Sequence, residues 1–174
     1  MNFNLTIYQN TKSWKLRLII DLMRLTFVDR LESVDIKMLG LSFISLGLIY
    51  IVMLFGVYIA ASHLGLSCKG WPLCPNGVSL PPEKYFFEHF HRMFAIITSA
   101  IVIVTAIYAV KKVRAARKLS VVSVIIIIIQ IILGMFVVDS KLEPLLVAAH
   151  LSTGVLLFAT MLTTFLITYR LKAR

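Results

Sequence analysis

Charge is scarce in this sequence. Of its 174 residues 15% are charged, and only 8 are acidic against 18 Lys and Arg. Soluble domains carry about 25% charged and about 45–50% apolar residues, so the shortage excludes a soluble enzyme, a nucleic-acid-binding module and a disordered tail. Cysteine is nearly absent as well. Cys68 and Cys74 are the only two, which leaves a tetrahedral zinc site two ligands short. His63 lies near them but completes no zinc pattern. What the sequence does contain is apolar: 59% of residues are hydrophobic and mean hydropathy is +0.90. That exceeds what the core of one domain of this length can hold, so the excess must face lipid. The sequence predicts a small integral membrane protein.

A membrane-crossing helix needs about 20 largely apolar residues. Four stretches qualify, at about 38–61, 85–110, 119–138 and 145–169, and they predict an all-α, four-helix transmembrane bundle. Basic residues set its expected orientation. Lys12, Lys15, Arg17, Arg24, Arg30 and Lys37 lie before or at the first span. Lys111, Lys112, Arg114, Arg117 and Lys118 lie between the second and third, and Arg170, Lys172 and Arg174 follow the fourth. The other side carries only Lys69, Lys84 and Lys141. The positive-inside rule then places both termini and the middle loop in the cytoplasm of a multi-pass cell-membrane protein. Orientation and anionic lipid account for the net charge of +10 without nucleic acid.

Residues 1–37 are read as a segment of their own, with 38–174 as the membrane domain. No secretory signal is read in 1–37, which lacks an apolar run followed by a small-residue cleavage site. Leu16, Ile19, Ile20, Met23, Phe27 and Leu31 recur there at helical spacing, with Arg17, Asp21 and Arg24 on another face. The expectation is an amphipathic helix on the cytoplasmic leaflet, against a basic, partly disordered lead-in.

The loop over 62–84 faces outward under this topology. It holds Cys68 and Cys74 in a turn-rich stretch with Gly70, Pro72 and Pro75, on the side where disulfides persist. A disulfide is the natural reading. It serves either as a staple that holds the loop as a lid or as a redox-active pair.

Ionisable residues inside spans are costly and are functional candidates by default. The second span opens with Glu88, His89, His91 and Arg92, and the fourth contains His150. Glu88 and His91 share a helix face, whereas His89 lies about 200° from His91 and cannot serve the same ligand. His91 and His150 enter their spans from the same side, to a similar depth of roughly 8–9 Å at about 1.5 Å per residue. Two imidazoles at one depth on different helices suit the opposite faces of a haem, and Ala148, Ala149, Ser152 and Gly154 leave room beside His150. The plainer alternative is interhelical hydrogen bonding. His63 and His89 are expected to be wet or interfacial. Glu88 is either a proton relay at the rim or the salt-bridge partner of Arg92 or Lys84. Arg92 is alternatively a partner for a haem propionate, and Gln130 is interhelical glue within reach of a ligand.

Four stretches in order carry a resemblance: Gly65-Leu-Ser-Cys-Lys-Gly-Trp-Pro-Leu-Cys74, Glu88-His-Phe-His-Arg92, Gln130-Ile-Ile-Leu-Gly134, and Pro144 followed by Val-Ala-Ala-His150. Together, across residues 56–155, they resemble the haem A synthase family of cytochrome oxidase assembly enzymes. The resemblance implies oxidation of the C8 methyl of haem O to a formyl group, through alcohol and gem-diol stages, with haem b as cofactor. It implies His91 and His150 as axial ligands of haem iron, Glu88 as the acidic catalytic residue, and Cys68 linked to Cys74. The usual member has eight spans in two similar halves, whereas this chain has one half and one histidine pair. A homodimer would restore the second, with haem O synthase and an electron acceptor as further possible partners. Two other classes compete. A non-catalytic b-type cytochrome or haem carrier needs neither Glu88 nor the cysteine lid, and a quinone-linked thiol oxidase would have a reactive disulfide and no haem.

Overall fold

A computed structural model describes residues 36–172, except 69 and 76. The amphipathic segment expected over 1–37 lies outside these residues, apart from Ile36 and Lys37, which open the first helix. The described chain is all-helical: α1 Ile36–Ala61, a 3₁₀ turn Glu83–Tyr85, α2 Phe86–Lys112, α3 Arg117–Asp139 and α4 Pro144–Lys172. Each long helix is apolar and long enough to cross a membrane. The expected spans are reproduced to within about three residues at each end, as usual where helix ends fray.

Residues 35–169 form one compact unit. Within it the helices pack in sequence, and α4 returns to α1. Ser45 and Thr105 share a hydrogen bond of 3.0 Å between α1 and α2. Ser123 donates to Thr160 at 3.2 Å between α3 and α4. The ring pairs Phe43–Phe165 and Tyr50–Phe158 join α1 to α4. Ile49, Val102, Ile126, Ile127, Leu157 and Met161 meet at the centre, drawing on all four helices. This is the up-and-down bundle that short connections favour, and it sets α2 across the bundle from α4.

The half of the bundle away from the long loop is hydroxylic inside. Ser42, Ser45, Thr105, Ser120, Ser123, Thr164 and Thr168 are all fully buried. Small hydroxylated residues let membrane helices approach closely. Most return their proton to the carbonyl four residues back, as Thr105 does to Ile101 and Thr168 to Thr164, so the polarity costs little. Connections at the ends follow ordinary rules. Pro144 opens α4, where its missing N–H is harmless, and the Glu143 carboxylate accepts the Leu146 N–H at 2.9 Å as a cap. Arg117 donates to the Val110 carbonyl at the end of α2.

Candidate functional site

The first two turns of α2 carry the chemistry that the sequence singled out. Glu88 is the third residue of that helix, where a carboxylate is favoured by the helix N-terminus. It is only 4% exposed and takes three donors. Its Oε2 accepts the Ser67 hydroxyl at 2.6 Å and the Cys68 backbone N–H at 2.8 Å. Its Oε1 pairs with Arg92 Nη2 at 2.6 Å, one turn along the same helix. Of the two salt bridges considered from sequence, the structure forms the one to Arg92. Lys84 instead lies over the Tyr85 ring.

Arg92 faces the loop. Nη1 donates to the Gly70 carbonyl and, at 3.4 Å, to that of Pro72, and Nη2 reaches the Cys68 carbonyl at 3.4 Å. Cys68 and Cys74 are joined in a disulfide with their Cα atoms 5.0 Å apart, and both are buried. The bridge closes the small ring whose carbonyls Arg92 holds. Glu88 and Arg92 therefore latch the disulfide loop to the helix that also presents His91.

His91 reaches from α2 to the Val52 carbonyl of α1, and His150 from α4 to Gln130 of α3. The Val52 carbonyl lies 3.1 Å from His91 Nδ1. A carbonyl only accepts, so Nδ1 carries the proton and Nε2 keeps the lone pair that a metal takes. His150 Nε2 lies 3.3 Å from the Gln130 amide nitrogen. Gln130 thus bonds a histidine across a helix interface, as expected of interhelical glue.

Sequence reasoning missed what stands behind each ring. A Cβ built on Gly56 would lie 3.1 Å from His91 Cε1, and one on Gly134 would lie 3.2 Å from His150 Cε1. Glycine at these two places lets α1 and α3 come up flush against the imidazoles. The available signal was a glycine in an apolar span, level with a histidine on the next helix. One expectation needs correcting. His63 is exposed, but His89 is buried, at 4% exposed, and is not wet. Its ring stands edge-on to that of Phe90.

His91 keeps its Nε2 lone pair, whereas His150 Nε2 takes the Gln130 amide proton, so a haem between the two imidazoles would need Gln130 to release that nitrogen. His150 Nδ1 and Gln130 Oε1 are buried without a hydrogen-bond partner. Thr98 Oγ1 and Ser120 Oγ are buried without a partner too, so an orphan of this kind calls for a partner, a bound ligand being one choice. No cluster of three or more His, Cys, Asp and Glu suited to a bare metal ion occurs among the described residues.

Residues 78–174 match the family described as cytochrome oxidase assembly protein. Over 135 residues the chain is 31% identical to the haem A synthase of Shewanella oneidensis, an alignment covering 67% of this chain and 41% of that protein. The chain thus spans about two fifths of the length of this curated relative.

Proposed function

The chain belongs to the cytochrome oxidase assembly protein family, and on that premise we propose that it is a haem A synthase-type membrane oxidoreductase. In this reading it oxidises the C8 methyl of haem O to a formyl group, with haem b as its resident cofactor. The observation that carries the reading is the pair His91 and His150 on different helices, each ring backed by a glycine of the preceding helix. His91 and His150 would hold the haem iron, which supplies one-electron redox chemistry when bound.

The chain's own residues do the rest. Val52 fixes the His91 tautomer, and Gln130 orients His150. Glu88 and Arg92 hold the disulfide loop over that end of the bundle, limiting water where an oxidised intermediate must be retained. Glu88 is the acidic residue nearest the pair along α2. A proton could be exchanged at its Oε1 when the Arg92 contact loosens. Both termini are assigned to the cytoplasmic side of the cell membrane, which puts the disulfide on the oxidising side. A homodimer is assigned as the working unit, one protomer holding cofactor and the other substrate.

The test is the haem itself. Protein purified in mild detergent should carry haem b by reduced pyridine spectrum, with haem O, its hydroxylated product or haem A detectable by chromatography and mass. His150→Ala should remove or strongly shift the spectrum. Folded protein without haem, or an unchanged His150→Ala spectrum, would overturn the assignment. Haem b alone, with supplied haem O left unconverted, would favour a b-type cytochrome or haem carrier.

A further inference from the structure

The latch has a cleft beside it that the reading above does not use. Its volume is about 390 Å³, and Leu64, Ser67, Glu83, Lys84, Phe87 and Glu88 line it. The first two come from the chain just past α1, the middle pair from the 3₁₀ turn, and the last two from the first turn of α2. The volume lies near the lower end of the roughly 300–1,000 Å³ typical of small-molecule sites. It suits a single ring system better than a macrocycle.

Its lining specifies the kind of ring. Leu64 and Phe87 supply apolar walls. Phe87 is backed by Tyr58 with ring centroids 4.5 Å apart and by Phe86 at 5.5 Å. Tyr58 and Phe86 are themselves exposed, at 47% and 41%, so the apolar surface continues outward along α1 and α2. Polar groups sit at separate places. Ser67 and Glu88 hydrogen-bond to each other, and exposed Glu83 and Lys84 follow one another in the 3₁₀ turn. Glu88 is balanced by Arg92 and Lys84 is adjacent to Glu83, so the lining offers no net positive charge to a carboxylate ligand. A carboxylate has about four lone-pair sites, and those of Glu88 not already used can accept a hydroxyl. Lys84 can donate to a carbonyl. The complementary ligand is uncharged and aromatic-sized, bears oxygens that alternate between carbonyl and hydroxyl, and trails an apolar chain into lipid.

We propose that this cleft binds the head group of an isoprenoid quinone. Resting on the synthase reading, the bound quinone is the electron acceptor for the methyl oxidation. The balance closes with water as the oxygen source. Two C–H bonds of the methyl group give way to one C=O, and two hydrogens leave the carbon and two leave the water. The four electrons and four protons released reduce two quinones to two quinols.

An azido derivative of decylubiquinone, photolysed with the detergent-purified full chain and mapped by peptide mass, tests this. Labelling should fall within 64–67 or 83–88 and be competed by unlabelled decylubiquinone. Leu64→Trp, which fills the cleft, should weaken competition at least tenfold while haem content stays unchanged. Lys84→Ala, at an exposed position that does not threaten folding, should weaken it several-fold. Labelling that is not competed, that maps elsewhere, or that is indifferent to both substitutions overturns the proposal. Conversion of haem O in protein that fails this labelling test sinks the cleft and leaves the synthase reading standing. Competed labelling in the cleft of protein that holds no haem keeps the quinone site and sinks the synthase reading instead.

Discussion

Glu88 holds Cys68 by its backbone: the carboxylate Oε2 accepts the Cys68 N–H at 2.8 Å across a gap of twenty residues in sequence. The same carboxylate is ion-paired to Arg92, which grips the Cys68 carbonyl in turn. One residue of the disulfide is therefore held on both of its peptide groups by neighbouring turns of α2.

Removing one partner of a buried ion pair costs about 3–5 kcal/mol, because the other charge is stranded. Glu88→Ala should accordingly lower the thermal unfolding midpoint and speed reduction of Cys68–Cys74 by a phosphine. Glu88→Gln should do less, since its amide oxygen still accepts the Cys68 N–H. Equal reduction rates in all three proteins would show that the latch does not restrain the loop.

The disulfide closes a short ring, for which chain entropy gives about 2 kcal/mol of stabilisation. Replacing both cysteines by serine should lower stability by about that amount, measured by thermal unfolding in detergent. If the bridge is only a staple, haem content and the haem spectrum should survive. Loss of haem O conversion in a variant that keeps its haem would assign the pair a redox role.

Gly56 and Gly134 are expected to be intolerant for a steric reason. Gly56→Val would drive the His91 ring from its place, because even a Cβ there lies 3.1 Å from Cε1. Bound haem should drop at least tenfold while the protein stays folded. Gly40 has open space around it, so Gly40→Ala should leave haem content unchanged. The reduced pyridine spectrum compares the variants directly.

The Ser45–Thr105 hydrogen bond crosses from α1 to α2 inside the bundle. Interhelical bonds of this kind average about 0.6 kcal/mol in membranes. A double-mutant cycle with Ser45→Ala and Thr105→Ala should return a coupling of that size. A value near zero would mean that each hydroxyl is already satisfied by its own helix.

Much of this architecture is legible in the sequence because the membrane imposes it. Each span had to read as a long apolar run, and the few ionisable or amide side chains within spans, Glu88, His91, Gln130 and His150 among them, stand out against that background. The contacts from loop to helix are not legible. Nothing in the order of residues says that Ser67 and the Cys68 amide, rather than Lys84, share Glu88 with Arg92, because such bonds depend on how the loop folds back. His89 misleads for a related reason. Its position near a helix start suggests water, but Phe86, Phe87, Phe90 and Phe94 build an aromatic cluster there that the position alone does not reveal. The glycines behind the imidazoles are visible as letters, but their meaning appears only once helix neighbours are known.

Each helical hairpin of the bundle repeats one device, a glycine on its first helix and a histidine on its second: Gly56 with His91, then Gly134 with His150. In both, the glycine lies against the Cε1 edge of the ring, so a flat guest between them would meet a similarly backed imidazole on each face. Orientation must come from the features that break this likeness: the carbonyl of Val52 behind one ring, the amide of Gln130 beside the other, and a latched loop on only one hairpin. An asymmetric guest should thus read its handedness from those few groups. Exchanging them between the hairpins should scramble how it sits before it weakens how tightly it is held.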